Sequence, residues 1–256
     1  MKKIISYNVN GIRAAAQKGL YGWIADNNFD IVCLQETKAQ PDQIDVSTLE
    51  QMGYCCYWHS AVKKGYSGVG ILSKQPADNI VVGCGLPEYD SEGRILRADY
   101  GDLTVISVYI PSGTSGDERQ GFKMKFLSDF WNFVHQLVLD RPKLIISGDF
   151  NICHRPIDIH DPVGNKNSTG FLPEEREWME QFFNSGFTDT FRFFYPELAH
   201  QYSWWSFRAG ARGKNKGWRI DYHAVSQALT AQLSAAAIFP DITHSDHCPI
   251  YIEIDG

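Results

Sequence analysis

Long hydrophobic runs are missing from this sequence of 256 residues, although 43% of the residues are hydrophobic. The longest apolar stretches have the length of a β-strand, which excludes a membrane span. The first residues, MKKIISYNVNG, contain only two consecutive isoleucines before polar residues begin, too few for a secretory signal peptide. The six cysteines form no C-x-x-C pair. We therefore expect a reduced, cytoplasmic protein of a bacterial or archaeal type of cell, without contact with a membrane.

Several common catalytic motifs are also missing. The sequence contains neither the phosphate-binding G-x-x-x-x-G-K-[ST] nor the zinc-binding H-E-x-x-H. Gly68-Val69-Gly70 is not followed by the third glycine of a dinucleotide-binding loop. Gly65-Tyr66-Ser67-Gly68 lacks the G-x-S-x-G spacing of a nucleophilic serine. A covalent serine mechanism is therefore disfavoured.

The net charge of −6 does not indicate a protein that binds polyanions. Net charge governs long-range steering, however, and a binding face can be locally basic. One segment has five basic residues and no acidic residue: Arg208, Arg212, Lys214, Lys216 and Arg219. The segment is consistent with a solvated loop and also with a face that binds phosphates, and aromatic neighbours such as Trp204 and Trp218 favour the second interpretation.

Short segments rich in valine, isoleucine, leucine and tyrosine predict buried β-strands. They are Lys3–Val9, Asp30–Leu34, Gly68–Ser73, Leu103–Ile110, Lys143–Ser147, Arg219–Val225 and Ile250–Ile254. A hairpin-like pair, Val81–Cys84 with Ile95–Tyr100, indicates mixed sheets instead of purely parallel ones.

Apolar residues at helical spacing predict helices at Ala14–Asp26 and Phe122–Leu139, and a third helix should begin at Pro173. The residues from Asn151 to Phe171 show no periodicity, and a loop of this length is uncommon unless it has a function. No linker or change in composition divides the chain, so we expect one domain covering residues 1–256.

Polar residues recur at the ends of the predicted strands. Asp149 and Asn151 follow one strand and project to the same side, since side chains alternate along a strand. The others are Asn8, Asn10, Glu36, Asp221, Asp246 and His247. Taken singly, an Asp or Asn at a strand end is typical of a turn, a glutamate after a strand of a helix start, and a histidine of a structural hydrogen bond. Asp221 differs, because it interrupts an apolar strand, where a charge must be paired or bind a metal. Carboxylates that converge repel one another, so the pattern predicts Mg²⁺ or Mn²⁺ between them.

The motifs resemble, in order along the chain, those of the exonuclease III/abasic-site (AP) endonuclease family of the endonuclease/exonuclease/phosphatase superfamily. They are Ser6–Arg13, Leu34–Lys38, Gly65–Gly70, Val108–Pro111, Ser147–Asn151, Gly217–Tyr222 and Ser245–Ile250. The terminal S-D-H is shared across the superfamily, whereas G-W-R-I-D-Y is specific to the DNA-repair branch. The resemblance covers the whole chain and implies the α/β sandwich of that superfamily, with two mixed sheets packed face to face between helices.

The resemblance also implies roles for the residues at strand ends. Glu36 resembles the principal metal ligand, assisted by Asn8 and Asp246, with Mg²⁺ as the ion and Mn²⁺ as a substitute. Whether one or two ions bind is left open. The remaining residues resemble groups that act on water or phosphate: Asp149 and Asn151 at the attacking water, the Asp221–His247 pair, and Tyr109 at the phosphate. Whether Asp149 or His247 accepts the proton is also left open.

A substrate pocket is implied by the same resemblance. Trp204, Trp218 and Ile220 correspond to walls around an extrahelical abasic sugar, whereas Trp205 should belong to the core. Contacts with the DNA backbone are implied for Arg208, Arg212, Lys214 and Tyr66. The segments Pro111–Asp117 and Ser168–Thr169 depart from the pattern of relatives, which leaves the balance of endonuclease against exonuclease activity open.

The resemblance implies a magnesium-dependent DNA-repair nuclease. The substrate would be double-stranded DNA with abasic sites, nicks or blocked 3′ ends, and the protein would be a monomer. The S-D-H ending alone would also fit a phosphatase of lipid or inositol phosphates, and a fold without catalysis would fit a DNA-binding module. The tryptophans and the basic segment disfavour the phosphatase, and the intact carboxylates disfavour the module.

Overall fold

A computed structural model describes residues 1–255, and two six-stranded β-sheets form its centre. The first sheet contains, in spatial order, β11 (Leu233–Ile238), β12 (Ile250–Ile254), β1 (Lys2–Asn8), β2 (Ile31–Gln35), β4 (Val69–Ser73) and β3 (Cys55–His59). The second contains β5 (Asn79–Val82), β6 (Ile95–Tyr100), β7 (Leu103–Tyr109), β8 (Lys143–Asp149), β10 (Asp221–Ser226) and β9 (Phe187–Asp189). Parallel pairs (β1 with β2, β7 with β8) occur among antiparallel ones, so both sheets are mixed.

Most of the α-helices lie on the outer faces of the two sheets. The helices are α1 (Ile12–Gln17), α2 (Leu20–Asn27), α3 (Val46–Gln51), α4 (Pro87–Asp90), α5 (Asp117–Asp140), α6 (Pro173–Asn184), α7 (Thr190–Phe194) and α8 (Gln227–Thr230). Helix α7 contacts β10 of one sheet and β11 of the other, and Leu229 of α8 packs in the core between the sheets. Alternation along β1 shows the layering, because Ile4 packs between the sheets with Val105 and Ile145, whereas Ile5 packs outward with Ile24 of α2. The predicted four-layer α/β sandwich is confirmed.

The predicted elements differ from the observed ones in particular places. The helix predicted at Ala14–Asp26 is two helices, because Gly19 adopts φ of 98° and ends the first one. The strand predicted from Arg219 begins at Asp221. Three strands were not predicted: β3, β9 and β11. Strand β11 is rich in alanine, which has low β propensity, and β9 has only three residues.

The topology brings several strand ends to one edge of the sandwich. Because β1 and β2 are parallel, Asn8 pairs with Gln35, one residue before Glu36. Because β7 and β8 are parallel, Tyr109 lies beside Asp149. Strand β10 runs antiparallel to β8 and begins here, so Asp221 pairs with Asp149 from the other side.

A buried network of ion pairs lies next to the edge of the sandwich where these strand ends meet. Asp158, in the long loop, accepts hydrogen bonds from Arg219 Nε at 2.8 Å and Arg192 Nη2 at 2.6 Å. Arg219 Nη2 also donates to Asp189 at 2.7 Å. Burial alone would raise the pKa of Asp158, but Arg219 and Arg192 outweigh burial and lower it to about 2. The network fixes the long loop against the start of β10.

A second buried titratable group lies between the two sheets. The His223 ring bonds to Ser147 Oγ at 2.7 Å and to the Ile250 carbonyl at 3.0 Å. Burial lowers the pKa of His223 to about 4, although the Ile250 carbonyl acts in the opposite direction. The imidazole is therefore neutral in the folded protein at neutral pH.

These shifts predict how the free energy of unfolding depends on pH. Between the ordinary histidine pKa of 6.5 and about 4, the unfolded state protonates His223 and the folded state does not, so His223 contributes a loss of stability on the order of 3 kcal/mol as pH falls. Below the ordinary aspartate pKa of 3.8, and down to about 2, Asp158 adds a further loss because its folded pKa is depressed. The raised pKa of Asp149 acts in the opposite direction above pH 3.8, so the His223 loss is measured as the difference in urea unfolding between the wild type and a variant without the imidazole.

His223→Gln is the matched variant for this prediction, because its amide cannot be protonated. As pH falls from 6.5 to about 4, it should lose less stability than the wild type, by on the order of 3 kcal/mol. An equal slope in both proteins would contradict the assignment.

Candidate active site

A cavity of about 500 Å³ opens at the edge where the strand ends meet. Its floor contains polar residues predicted from the sequence: Glu36, Tyr109, Asp149, Asn151, Asp246 and His247. One wall is apolar and consists of Trp204, Trp218 and Ile220. The rest of the lining includes neutral hydrogen-bonding residues: Ser112, Thr114, Asn165, Ser168 and Thr169. The chain thus brings its predicted catalytic and pocket residues into one site.

Asp149 lies at the centre of the polar floor and is buried. The backbone N–H of Asn151 donates to its Oδ1 at 2.8 Å, and the Asn8 amide donates to its Oδ2 at 2.9 Å. His247 Nε2 is 3.8 Å from the same Oδ2. Burial, followed by the neighbouring Asp221 carboxylate, raises the pKa of Asp149, and His247 acts in the opposite direction. Asp149 is thus an oriented carboxylate with unusually high proton affinity.

His247 is held on its other side by Asp221. The ring Nδ1 lies 2.9 Å from Asp221 Oδ2, which fixes Nδ1 as a donor and leaves Nε2 facing Asp149 and the cavity. Burial alone would lower the pKa of His247, but Asp221 outweighs burial and raises it. The imidazole is therefore a cation that can stabilise negative charge in the cavity.

Glu36 stands at the start of the loop after β2. Its Oε1 accepts a hydrogen bond from the Asn8 amide at 2.8 Å, and its Oε2 forms an ion pair with Lys38 Nζ at 2.8 Å. The Asn8 amide nitrogen thus lies between the Glu36 and Asp149 carboxylates. The side-chain oxygen of Asn8, Oδ1, is the atom with which Asn8 would bind the predicted metal. This oxygen accepts a hydrogen bond from the backbone N–H of Asn10 at 3.0 Å.

The grouping of possible metal ligands differs from the predicted one. Ligand atoms of Glu36, Asp149 and His247 lie within 4.8 Å of one another. The predicted ligand Asp246 lines the same cavity, but its oxygens accept from Asn10 Nδ2 at 2.9 Å and Trp204 Nε1 at 3.1 Å. The site fits a hard divalent cation, because its carboxylates need a positive charge between them and Asp221 Oδ1 is buried without a hydrogen-bond partner among residues 1–255.

Left-handed backbone conformations cluster around the polar floor. Glu36 has φ of 49°, Asn10 of 45° and Asn151 of 53°. For residues other than glycine such values are uncommon and must be held by surrounding contacts. The Gly11 N–H donates to the Glu36 carbonyl at 2.7 Å, and the Asn151 amide donates to the Ile110 carbonyl at 2.9 Å. The backbone is therefore bent to present these side chains.

Tyr109 is buried at the end of β7, and burial raises the pKa of its phenol well above the ordinary value, with the Glu36 and Asp149 carboxylates adding to the effect. The phenol therefore stays protonated and can donate a hydrogen bond. The Arg94 guanidinium lies 4.9 Å from the Tyr109 ring centre and donates to the Tyr109 carbonyl at 2.8 Å. Arg94 Nη2 also donates to the Tyr66 hydroxyl at 3.1 Å, so Tyr66 lies beside the site without lining the cavity.

The two adjacent tryptophans separate as predicted. Trp205 is buried in a small core cluster, whereas Trp204 is half-buried and faces the cavity. The rings of Trp204 and Trp218 are perpendicular, with centres 6.0 Å apart. Gly170 lies beneath them, since a Cβ there would come within 3.0 Å of the Trp218 ring. The apolar wall is therefore closely packed against the loop that contains Gly170.

Some residues of the basic segment are exposed to solvent, and others form hydrogen bonds or ion pairs within the protein. Arg208 and Lys214 are exposed. Arg219, the last basic residue of the segment, is buried in the ion network and has no face open to a phosphate. Both terminal nitrogens of Arg212 donate hydrogen bonds to backbone carbonyls, four in total, so the structure does not support the DNA contact predicted for Arg212.

One buried pair behind the site was not predicted. Lys123 Nζ donates to the Asn151 carbonyl at 2.9 Å and to Glu175 at 2.5 Å, and neither side chain of the pair is exposed. Glu175 also accepts from the Gly170 N–H at 2.6 Å, which ties the cavity floor to Asn151. Lys123 lies three residues before Phe126, on the buried face of α5. A lysine at an apolar position of an amphipathic helix is the signal in the sequence from which a buried ion pair could have been predicted.

The chain is similar to known nucleases over nearly its whole length. A model of the Endonuclease/Exonuclease/phosphatase family matches residues 5–247. The sequence is 42% identical to an exodeoxyribonuclease of Bacillus subtilis over 254 residues, which cover 99% of each chain. It is 38% identical to the DNA repair nuclease APEX1 of Danio rerio over 250 residues, which cover 97% of this chain and 80% of that protein.

Solved structures give the same result. The 3′ phosphatase NExo from Neisseria, bound to a product DNA hairpin, has a TM-score of 0.93 and 29% identity, with full coverage of both chains (100%). An AP endonuclease from Archaeoglobus fulgidus has a TM-score of 0.91 and 27% identity, also with 100% coverage of both. The chain belongs to the Endonuclease/Exonuclease/phosphatase family. Within it, the predicted type, a DNA-repair nuclease related to AP endonucleases and exodeoxyribonucleases, is confirmed.

Proposed function

We propose that this protein hydrolyses the phosphodiester bond 5′ to abasic sites in double-stranded DNA, and also removes phosphate, blocking groups or nucleotides from 3′ ends. The single observation that carries the proposal is the position of Asp149. It lies between Asn8, Asn151 and the His247–Asp221 pair, at the foot of a cavity with one apolar wall of tryptophan. Nicks, abasic sites and blocked 3′ ends in duplex DNA are the substrate class, and the protein acts as a monomer in the cytoplasm.

Mg²⁺ is the proposed ion, with Mn²⁺ as a substitute. Glu36 is the proposed principal ligand. The family resemblance implies this role, and Glu36 also belongs to the group of nearby ligand atoms in the structure. Carboxylate oxygens suit Mg²⁺ better than imidazole does, so His247 stays with Asp221, and Asn8 and Asp246 remain the assisting ligands. When bound, the ion would supply positive charge to a phosphate oxygen and stabilise the charge that develops during attack.

Asp149 is the proposed acceptor of the proton from the attacking water. Its Oδ1 is fixed by the Asn151 N–H, and its raised proton affinity suits a general base. The Asn151 side chain lines the cavity next to Asp149 and would hold the water or a phosphate oxygen. Water attacks phosphorus, the bond from phosphorus to the 3′ oxygen breaks, and a 3′-hydroxyl is left.

His247 and Tyr109 would stabilise the pentacovalent phosphate from the cavity floor. His247 carries a positive charge, because Asp221 raises its pKa, and its Nε2 faces the cavity. Tyr109 keeps its proton and can donate to a non-bridging oxygen. Groups that are already oriented toward developing charge give the largest contributions of this kind.

The apolar wall is the proposed recognition element for the abasic sugar. A sugar without its base can leave the helix at a lower cost in stacking than a normal nucleotide, and it fits against Trp204 and Trp218. The exposed Arg208 and Lys214, together with Tyr66, are proposed to contact backbone phosphates, which position DNA without reading its sequence.

Asp149→Asn and His247→Ala each remove one part of the proposed chemistry. On a duplex with a tetrahydrofuran abasic analogue and Mg²⁺, each should lower the single-turnover rate by about 10²-fold or more, since oriented charge is lost. EDTA should abolish cleavage by the wild type. Arg97→Lys, on the far strand β6, controls for handling of the variants and should cleave at the wild-type rate. Full activity of either site variant, or cleavage in excess EDTA, would refute the mechanism.

Trp218→Ala tests the recognition element separately from the chemistry. The rate on the abasic duplex should fall more than the rate of 3′-phosphate release from a nicked duplex, because the latter substrate has no extrahelical sugar to hold. We expect a change in the ratio of about tenfold, equivalent to the contact energy of one aromatic side chain. Equal losses on both substrates would show that the wall does not select the abasic sugar.

A further inference from the structure

Arg212 lies in the exposed basic segment, but its guanidinium points into the protein. Nη1 donates to the carbonyls of Ser245 at 2.8 Å and His247 at 3.3 Å. Nη2 donates to the carbonyls of Pro240 at 2.8 Å and Ile242 at 2.6 Å. All four acceptors belong to the segment 240–247, which carries Asp246 and His247.

The segment 240–247 has no helix or strand of its own to hold its carbonyl groups. It leaves β11 at Ile238 and enters β12 at Ile250. Backbone hydrogen bonds join it to residues 203–205, from the Trp205 N–H to the Asp246 carbonyl at 3.1 Å and from the Cys248 N–H to the Ser203 carbonyl at 2.7 Å. Lys18 Nζ donates to the His244 carbonyl at 3.1 Å, and Arg212 donates to four further carbonyls.

An arginine is required for this contact by geometry. Its planar guanidinium presents five fixed donors, whereas a lysine presents three donors on one nitrogen. The plane is also seated over the Trp205 ring, with the guanidinium carbon 4.6 Å from the ring centre. A lysine would keep the charge but could not bridge carbonyls on both ends of the segment.

We propose that Arg212 is a positioning residue, which sets the place of His247 through the backbone of segment 240–247 and does not bind DNA phosphate. The proposal rests on the proposed function, in which His247 faces the scissile phosphate. Misplacement of a reacting group by about 1 Å can cost about 10²-fold in rate. Loss of the four hydrogen bonds should therefore appear in the chemical step and leave DNA affinity unchanged.

The test separates rate from affinity with one substrate, a duplex containing a tetrahydrofuran abasic analogue. Fluorescence anisotropy in EDTA gives Kd at several salt concentrations, and single-turnover cleavage with Mg²⁺ gives the rate. Arg212→Lys should lower the rate by about tenfold or more, with Kd and its salt dependence at wild-type values. Lys214→Ala is the contrasting variant and should raise Kd and reduce the slope of log Kd against log salt by about 1.

Arg212→Ala with added ethylguanidinium provides a second readout. The small cation should restore part of the rate by occupying the vacated place, and it should not stimulate Arg97→Lys or the wild type. An Arg212→Lys protein that binds DNA more weakly, with a smaller salt slope and an unchanged rate, would overturn the proposal and make Arg212 a phosphate contact. A wild-type protein that does not cleave would overturn the proposed function and this proposal together.

Discussion

Mutual repulsion among buried carboxylates is the constraint on which the rest of the site depends. Glu36, Asp149 and Asp221 come from three strand ends that the two sheets bring to one edge. Their charges are costly to bury, and each is partly offset by a different donor: the Asn8 amide, the Asn151 N–H and the His247 ring. The remaining imbalance is the physical reason that the site fits a divalent cation. Burial, followed by the Asp221 carboxylate, raises the pKa of Asp149, and Asp221 raises the pKa of His247 against the effect of burial.

The surrounding protein stabilises this arrangement at some cost in backbone energy. Left-handed residues at Asn10, Glu36 and Asn151 cost on the order of 1 kcal/mol or more each. Two buried ion pairs behind the site, Lys123–Glu175 and Arg219–Asp158, hold the nearby loops, and Lys123 also donates to the Asn151 carbonyl. Such pairs contribute little net stability, because burying their charges offsets the attraction, but removing one partner is strongly destabilising. Their value here is in fixing geometry.

Much of the site could be predicted from the sequence because its residues sit at strand ends. Asn8, Glu36 and Asp149 follow short apolar runs that are typical of buried strands. Neighbouring strands that are parallel end at the same edge of a sheet, so the residues at their ends lie close together. The functions of Arg212 and Arg219 could not be predicted, because a basic residue in a polar segment looks the same whether its guanidinium faces solvent or backbone carbonyls. The helix break at Gly19 depended on one left-handed residue, which apolar spacing does not reveal.

The carboxylates at the cavity floor are expected to bind a divalent cation. The most direct measurement is an anomalous difference map from a crystal of the wild-type protein soaked in Mn²⁺ and of Glu36→Gln treated identically. We expect a strong peak next to Glu36 at the cavity floor in the wild type, and a weak or absent peak in the variant. A peak elsewhere on the protein, or one at the floor that is unchanged in Glu36→Gln, would contradict it.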